Sequence, residues 1–420
     1  MAFLEWHPEE STAPAWLELL DQAPESIGID LSAVRVYRLK QLRQEMQRHN
    51  IQALILSDPV NIRYATGSRN MQVFSARNAP SRYLVLTANH SILYEFTGCL
   101  HLARGFETID EVRPAATASF VAAGPAIADK ERAWAQDILG TLEELLGGQP
   151  ENVGLERMNA GVALEIARQG VRVYDAQEPV ELARSIKSDE EIKCMMASLQ
   201  ATEVATGHLR DSIRPGITEN ELWSVLHQSI IAMNGDYVET RLLNSGERTN
   251  PWFQESSNKM IGPNELIGFD TDVVGCHGYY SDFSRTFHSG PDQPTQAQRT
   301  LYKLAYEQIQ HNLEILRPGM TFREYADKAW DIPPRYFANR YYLSAHGVGM
   351  TGEYPYLYHR ADFPDAGYDG TILPNMTLCV ESYIGEDGGG EGVKLEEQLL
   401  VTENGTELLT HYPFEEDLLR

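Results

Sequence analysis

The sequence predicts an α/β (α+β) protein of two domains that follow an N-terminal arm. Three observations support this prediction. The chain has 420 residues, more than one hydrophobic core usually supports. Helix and strand patterns alternate up to about residue 183, and long helices followed by β-hairpins replace them afterwards. We therefore assign residues 1–30 to the arm, 31–183 to an N-terminal domain and 184–420 to a C-terminal domain.

The composition excludes several classes of partner and location. Hydrophobic residues make up 42% of the chain and charged residues 23%, as in ordinary globular proteins. The formal net charge of −25 argues against binding to nucleic acid or to an anionic membrane. No apolar run approaches the roughly 20 residues that span a bilayer, and we expect no signal peptide. The four cysteines lack zinc or disulfide spacing, so we expect a cytoplasmic protein.

The N-terminal domain is predicted from amphipathic helices that alternate with apolar strands. The first helix is expected over residues 34–49, and the strand I-Q-A-L-I-L-S follows at 51–57. Later strands and helices are expected at 83–87, 91–96, 130–146, 152–156, 159–170 and 171–175. This order predicts an α/β domain with a mixed sheet.

The C-terminal domain contains an internal repeat, R-P-G-I-T-E-N-E at 214–221 and R-P-G-M-T-F-R-E at 317–324. Each copy follows a predicted helix (189–213 and 296–316) and opens another helix with a T-x-x-E capping box. A predicted hairpin comes after each copy. We interpret these segments as two copies of a helix–helix–hairpin unit, which would place two hairpins around one site.

The first hairpin carries three aspartates. Strands are expected over residues 266–274 and 279–287, joined by G-C-H-G. Asp270 and Asp272 are two residues apart, so a strand turns both carboxylates to one face, and Asp282 lies almost opposite them. Buried unpaired carboxylates are costly unless they bind a cation, which predicts a metal site. The alternative is an exposed acidic hairpin.

The second hairpin supplies further candidate ligands. Its strands are predicted at residues 377–384 and 393–402. Glu381 lies on the apolar strand T-L-C-V-E-S-Y, and the other strand offers Glu396 or Glu397, between which strand alternation does not decide. His346, in A-H-G-V-G-M, precedes a glycine-rich turn and would add an imidazole.

This set of side chains suits two divalent ions. Five carboxylates carry a formal charge of −5, two such ions carry +4, and His346 is neutral. Oxygen-rich ligation with one imidazole is typical of manganese, iron(II), cobalt or zinc. Two close ions can hold a substrate carboxylate or carbonyl, or make hydroxide from water.

In order along the chain, these residues resemble the ligands of the pita-bread metallohydrolases, which include creatinase, prolidase, aminopeptidase P and methionine aminopeptidase. The family signature Asp, Asp, His, Glu, Glu selects Glu396 over Glu397. Residues 280–287 and 396–405 match the family as well. The resemblance implies a creatinase-like N-terminal domain and a pita-bread C-terminal domain. The implied ligands of the two ions are Asp270, Asp272, Asp282, His346, Glu381 and Glu396.

A closer resemblance is to the dimethylsulfoniopropionate lyases of this fold, which share F-D-T-D with both aspartates as ligands. Residues 239–243, 248–255 and 376–381 look very like theirs. The resemblance implies a homodimer that acts on a small carboxylate substrate. In the implied β-elimination, a base removes the α-hydrogen of dimethylsulfoniopropionate, or of a close analogue, and dimethyl sulfide leaves to give acrylate.

One position departs from the lyase pattern. Gly352 stands where the lyases usually have an aspartate that is proposed as the base, and where peptidases have a second histidine. We therefore expect Glu353, Tyr341 or a metal-bound hydroxide to serve as the base. The cationic sulfonium would favour aromatic faces, for which the candidates are Trp252, Tyr341 and Tyr342.

Two rival functions differ in chemistry. A metallopeptidase of the Xaa-Pro type, or another C–N hydrolase of the creatinase superfamily, would use the same ions, but the chain lacks the second histidine after His346. A pita-bread protein that only binds partners would have no need to retain the ligands.

Overall fold

The structure is a computed structural model that describes residues 28–70 and 81–420. The described residues divide into two compact units, Asp30–Arg184 and Ser185–Arg420, and residues 28 and 29 belong to the second unit. Within these described ranges, no helix is long and apolar enough to cross a membrane.

The predicted arm, residues 1–30, lies almost wholly outside the described residues. The division between the two units falls one residue later than the predicted boundary. The bounds 31–183 and 184–420 therefore stay predictions about domains.

The first unit is built on a mixed six-stranded sheet with the strand order β4-β3-β2-β1-β5-β6. Its strands are β1 (Ala53–Leu56), β2 (Tyr83–Thr87), β3 (Ser91–Glu95), β4 (Glu111–Pro114), β5 (Asn152–Leu155) and β6 (Arg172–Asp175). Its helices are α1 (Leu31–Arg48), α2 (Pro59–Thr66), α3 (Phe120–Ala123), α4 (Ile127–Leu146), α5 (Ala160–Arg168) and α6 (Gln177–Ser185). β1 pairs in parallel with β5 and antiparallel with β2, and every residue of these three strands is buried. The predicted mixed sheet is confirmed, because strands buried on both faces read as continuous apolar runs.

The second unit contains two pairs of helices that follow the sequence repeat. Its helices are α7 (Asp189–Ser212), α8 (Glu219–Ala232), α9 (Gln296–Ile315), α10 (Phe322–Lys328), α11 (Phe363–Ala366) and α12 (Glu416–Leu419). Both predicted capping boxes are present. The Thr218 hydroxyl accepts a hydrogen bond from the Glu221 backbone N–H (3.1 Å), and Glu221 Oε2 accepts one from the Thr218 N–H (2.8 Å). Thr321 and Glu324 repeat this arrangement at 3.1 and 2.9 Å, so α8 and α10 begin in the same way.

The two copies of the repeat also contact the chain that follows them in the same way. The Gly216 N–H donates to the carbonyl of Ile261 at 2.9 Å, and the Gly319 N–H donates to the carbonyl of Ile372 at 2.8 Å. Both glycines have positive φ, 94° and 82°, where a side chain would be strained. The duplicated unit therefore extends beyond the eight matched residues into tertiary contacts.

The described strands of the second unit form three antiparallel sheets. Its strands are β7 (Tyr237–Val238), β8 (Leu243–Ser245), β9 (Leu266–Asp270), β10 (Val273–Val274), β11 (Tyr280–Ser281), β12 (Ser284–His288), β13 (Ala345–Val348), β14 (Gly352–Leu357), β15 (Thr377–Gly385), β16 (Gly392–Val401) and β17 (Thr406–Leu408). The sheet orders are β11-β10-β7, β12-β9-β8 and β14-β13-β15-β16-β17. The prediction of two continuous strands at 266–274 and 279–287 was wrong, because each is divided into two short strands.

An apolar core fixes the second hairpin, β15 and β16, beneath α9. Tyr302 and Ile309 of α9 are wholly buried in one cluster with Val380 and Leu395 of the hairpin. Burial of each such side chain contributes about 1.5–3 kcal/mol. The hairpin is therefore a rigid support for the side chains on its opposite face.

Candidate metal centre and active site

Three aspartates meet where the first hairpin is interrupted. β9 ends at Asp270, which pairs with Ser284 of β12, and the same register resumes in β10 and β11. Between the two segments Asp272 has a φ of 43°, in the left-handed region that non-glycine residues rarely adopt. One oxygen from each of Asp270, Asp272 and Asp282 lies within 4.8 Å of the others. The kink at Asp272 therefore brings the three carboxylates together. Strand alternation alone does not account for their convergence.

The second hairpin and β13 bring the other three predicted ligands to this cluster. Glu381 of β15 pairs directly with Glu396 of β16. His346 Nε2 lies 3.3 Å from Glu396 Oε1 and 3.7 Å from both Glu381 Oε1 and Asp282 Oδ2. The structure thus brings all six residues together. None is more than 9% exposed, so the alternative of an exposed acidic hairpin is wrong.

The register of β15 and β16 turns Glu397 away from the cluster. Glu397 pairs with Val380 in the sheet, and its carboxylate accepts a hydrogen bond from Arg285 Nη2 at 2.7 Å. Arg285 is wholly buried. Glu396 and Glu397 therefore have different tasks, one in the cluster and one in a buried ion pair behind it.

A buried lysine lies among the carboxylates and was missed by the sequence analysis. Lys394 is two residues before Glu396, so strand alternation puts both side chains on one face. Its Nζ atom has four oxygen neighbours, Glu396 Oε2 at 2.8 Å, Ser284 Oγ at 2.9 Å, Glu381 Oε2 at 3.0 Å and Asp270 Oδ2 at 3.3 Å. Its shared face with Glu396 was visible in the sequence, but its burial was not.

The crowded carboxylates have strongly shifted proton affinities. Burial, and then the charge of a neighbouring aspartate, raise the pKa of Asp272 to about 7. Burial also raises the pKa of Glu381 to about 8, although Lys394 opposes the shift. Burial and nearby carboxylates hold the pKa of Asp282 well above its usual range. Burial lowers the pKa of His346, but the adjacent glutamates outweigh it and raise that pKa to about 9.

Several buried oxygens of the cluster need a partner. In the described part of the chain, Asp282 Oδ1, Glu381 Oε1 and Glu396 Oε1 are buried and accept no hydrogen bond. Buried oxygens of this kind are rare unless a cation or water satisfies them. With one imidazole added, this donor set suits manganese, iron(II), cobalt or zinc. The six residues therefore fit divalent metal ions.

Two hydroxyl groups hold Asp272 in its kinked position. The Tyr280 hydroxyl donates to Asp272 Oδ1 at 2.9 Å, and the Thr240 hydroxyl donates to Asp272 Oδ2. Hydrogen bonds to a ligating carboxylate fix its orientation. Thr240 lies in the segment E-T-R-L-L, whose similarity to the lyases was the one sequence signal for it.

A cavity of about 660 Å³ opens onto the cluster and has an aromatic wall. Phe253, Tyr341, Tyr342 and Tyr356 line it together with four of the carboxylates. Ring centroids are 5.1 Å apart for Phe253 and Tyr341, 4.9 Å for Tyr341 and Tyr342, and 6.2 Å for Tyr342 and Tyr356. The exposed side chains of Glu239 and Glu255 add negative charge to the lining. The cavity can therefore receive a cationic group beside the metal ligands.

The structure places Trp252 behind the cavity and Phe253 in its wall. Trp252 is 6% exposed, and its ring centroid lies 6.0 Å from that of Tyr383 and 5.9 Å from Lys394 Nζ. Phe253 is 54% exposed and has a φ of 68°, which is strained for a bulky residue. The prediction that Trp252 faces the substrate was therefore wrong, because the backbone directs the ring of its neighbour Phe253 into the cavity wall instead.

The two side chains predicted as bases differ in their surroundings. Tyr341 lines the cavity, and burial and then the charge of Glu381 raise its pKa well above the usual range, so its hydroxyl stays protonated. The Glu353 carboxylate is buried in an ion pair with Lys187 and is not among the cavity-lining residues. Gly352 does line the cavity, where an added Cβ would meet nothing within 4 Å.

Comparison with protein families matches both halves of the chain. Residues 193–403 match metallopeptidase family M24, and residues 38–186 match the creatinase/prolidase N-terminal domain. The predicted fold class, a creatinase-like N-terminal domain followed by a pita-bread domain, is thereby confirmed.

Curated relatives include both lyases and peptidases. The dimethylsulfoniopropionate lyase DddP of Roseobacter denitrificans is 31% identical over 424 residues, which cover 100% of this chain and 91% of that protein. DddP of Roseovarius nubinhibens is 32% identical over 395 residues, with 93% and 88% covered. The Xaa-Pro dipeptidase of Pyrococcus furiosus is 29% identical over 235 residues, with 54% and 63% covered.

Solved structures share the fold at lower identity. Dipeptidase PepE from Mycobacterium ulcerans superposes with a TM-score of 0.73 at 21% identity, covering 92% of this chain and 98% of that one. The Xaa-Pro dipeptidase from Bacillus anthracis gives 0.70 at 20% identity, covering 91% and 99%. These likenesses concern the fold alone.

Proposed function

Since the chain belongs to metallopeptidase family M24, we propose that it is a metal-dependent lyase that cleaves the C–S bond of dimethylsulfoniopropionate, or of a close analogue. The reaction would be a β-elimination to acrylate and dimethyl sulfide. Two relatives that align over most of their length carry the name of this activity. Enzymes of the family bind divalent metals, and this chain keeps a cluster of residues that suits them.

The observation that carries the proposal is a cavity with two chemically opposite walls. One wall is the carboxylate cluster, which would hold cations, and the other is the aromatic wall of Phe253, Tyr341, Tyr342 and Tyr356. Dimethylsulfoniopropionate has a carboxylate at one end and a sulfonium at the other. A cation over an aromatic face gains about 0.5–2 kcal/mol. The substrate would lie with its carboxylate toward the cluster and its sulfonium toward the rings.

We assign two divalent ions to the six residues of the cluster, Asp270, Asp272, Asp282, His346, Glu381 and Glu396. When bound, the ions supply positive charge that stabilises the negative charge developing on the substrate carboxylate as the α-hydrogen leaves. Thr240 and Tyr280 orient one ligand, Asp272, by hydrogen bonds. The protonated Tyr341 would donate a hydrogen bond to the substrate, acting as a donor and not as a base.

The elimination also needs a base for the α-hydrogen. The C–H electron pair forms the double bond while the C–S pair leaves with neutral dimethyl sulfide. Glu353 is poorly placed for this task, because Lys187 holds its carboxylate in a buried ion pair. Outside the ligand set, the described carboxylates that line the cavity are Glu239 and Glu255, both exposed. Of the three predicted bases, only the hydroxide that the ions would supply is left, so the described side chains offer no positioned base. We therefore infer that proton transfer limits the rate of the natural chain.

A paired assay tests the proposed activity. The Mn²⁺-loaded protein is given dimethylsulfoniopropionate and, separately, Xaa-Pro dipeptides. Dimethyl sulfide is measured in the headspace and amine release in solution. We expect dimethyl sulfide, no amine, and loss of the product in the variant Glu396→Gln. Amine release without dimethyl sulfide would replace the proposal by the peptidase.

The peptidase of Xaa-Pro type is the second candidate function. It is favoured by the prolidase fold and by the aligned Xaa-Pro dipeptidase of Pyrococcus furiosus. Gly352 stands at about the position where peptidases carry a second histidine, which weakens this candidate. If neither product forms while Mn²⁺ binds, a protein that only binds partners becomes the better interpretation.

The assembly and location of the protein belong to the same proposal. We propose a homodimer that works in the cytoplasm on a small-molecule carboxylate. Light scattering of the purified chain tests the dimer, and a mass equal to one chain of 47.3 kDa would contradict it.

A further inference from the structure

Lys394 is a cation that the chain itself contributes to the carboxylate cluster. It is wholly buried, and its ammonium takes one oxygen from each of three proposed ligands, Asp270, Glu381 and Glu396, at 2.8–3.3 Å. The other oxygens of the two glutamates, Glu381 Oε1 and Glu396 Oε1, face His346. Each glutamate thus lies between the ammonium on one side and the proposed metal position on the other.

Two aromatic rings and a hydroxyl group surround the Lys394 ammonium. Its Nζ atom lies 4.8 Å from the ring centroid of Tyr341 and 5.9 Å from that of Trp252, and it donates to Ser284 Oγ at 2.9 Å. Aromatic faces and a hydroxyl acceptor favour a desolvated cation. Trp252 is therefore a support for Lys394, which explains why its ring lies behind the cavity.

The formal charges show what the ammonium does for the cluster. The five carboxylates carry −5, and Lys394 reduces this to −4, which two divalent ions would balance. Three of these carboxylates, Asp270, Glu381 and Glu396, lie within 4.0 Å of the Lys394 ammonium. Among the described residues, no other lysine and no arginine lies that close to them. With metal, the ions supply a second source of positive charge to the same oxygens.

We propose that Lys394 keeps the cluster folded when metal is absent and, for the same reason, limits how tightly the cluster binds metal. Loss of the ammonium removes a counter-charge at 2.8–3.3 Å from three buried carboxylates and leaves the two glutamates with His346 beside them. This loss is greater in the metal-free protein than in the metal-loaded protein, where the ions also face these oxygens. By the thermodynamic cycle, a change that destabilises the metal-free state more must strengthen metal binding. The proposal rests on the proposed metal site and not on the lyase reaction.

The test uses the full chain with Lys394→Met, Lys394→Arg and the matched control Lys187→Met. Lys187 is also a buried lysine paired with a carboxylate, Glu353, which is outside the proposed ligand set. Each protein is stripped with a chelator and titrated with Mn²⁺ alone. The measurements are the Tm without metal, the Tm at saturating Mn²⁺, and the Mn²⁺ dissociation constant by calorimetry.

For Lys394→Met we expect a larger fall of Tm without metal than with saturating Mn²⁺, and a dissociation constant lower by about tenfold or more. Lys394→Arg should resemble the natural chain, because it keeps the charge. Lys187→Met should lower both Tm values equally and leave the dissociation constant unchanged.

Three results would overturn the proposal. They are equal falls of Tm with and without Mn²⁺ in Lys394→Met, a weaker or unchanged affinity, and failure of this variant to fold at saturating Mn²⁺. A variant that folds only when Mn²⁺ is present supports the proposal. If the natural chain gains no stability from Mn²⁺, the proposed metal site itself is wrong, which is a different outcome from these three.

Discussion

The variant Gly352→Asp places a carboxylate where the related lyases usually have one, and the structure indicates that the site has room for it. Gly352 begins β14, lines the cavity and is exposed. A Cβ added there meets nothing within 4 Å, and the residue is not among the glycines with positive φ. A Cβ at position 352 therefore requires neither a strained backbone nor displacement of neighbours, and the exposed position leaves space for the carboxylate beyond it.

The expected gain follows from general base catalysis. A positioned base contributes about 10²–10⁴-fold to a proton transfer. Outside the ligand set, the carboxylates among the described cavity-lining residues are exposed, so we expect Gly352→Asp to raise kcat for dimethylsulfoniopropionate by about 10²-fold. The assay is headspace dimethyl sulfide with Mn²⁺-loaded enzyme, and the Tm should change by no more than a few degrees.

Gly352→Asn is the matched control, since it has nearly the same volume and no basic group. It should leave the rate near that of the natural chain. The reasoning fails if the natural chain is already fast and aspartate slows it. An equal acceleration by asparagine would show that space filling, and not proton transfer, causes the change.

Further expectations concern the aromatic wall, the pH dependence and the ion pair behind the cluster. Phe253→Ala should raise KM for the sulfonium substrate about 3–30-fold, because a cation–π contact is lost. Phe253→Tyr should leave KM unchanged, because it keeps the aromatic face. A fall in kcat without a rise in KM would contradict this expectation. The pKa values of about 7 for Asp272 and about 8 for Glu381 mean that the folded, metal-free protein binds more protons than the unfolded chain. The stability of the metal-free protein should therefore fall as the pH rises from about 5 to 8. In thermal melts with Mn²⁺, the Tm should depend much less on pH. A metal-free stability that rises with pH would refute the argument. Arg285→Met leaves Glu397 buried and unpaired, so the free energy of unfolding measured in urea should fall by about 3–5 kcal/mol. Adding Glu397→Gln to this variant should restore part of the loss. A loss below about 1 kcal/mol would contradict the expected contribution of the pair.

Much of the fold could be read from short-range patterns. The capping boxes at Thr218 and Thr321 join residues three apart, so their hydrogen bonds depend on local sequence alone. Apolar runs identified the buried strands of the first unit, because a strand covered on both faces has no polar alternation. Four of the six candidate ligands, Asp270, Asp272, Asp282 and Glu381, were also found this way, since carboxylates in apolar strands are unusual. His346 was suggested by its glycine-rich surroundings, and Glu396 was selected by the family resemblance.

The face that each side chain presents could not be read in the same way. Glu396 and Glu397 differ by one residue, and only the register of β15 with β16 directs the first to the cluster and the second to Arg285. For Asp272, strand alternation gave the right neighbours for the wrong reason, because the strand is broken there.

The sequence by itself determined the two-part α/β architecture, the repeated helix–helix–hairpin unit and the identity of the acidic and histidine side chains that gather in the C-terminal half. Only the tertiary structure decided that Lys394 lies among the carboxylates, that Phe253 and not Trp252 faces the cavity, and that Glu353 is held by Lys187. The physical reason is range. Local sequence sets hydrogen bonds within a few residues, whereas the charge and burial that a side chain meets depend on strands brought together from distant parts of the chain.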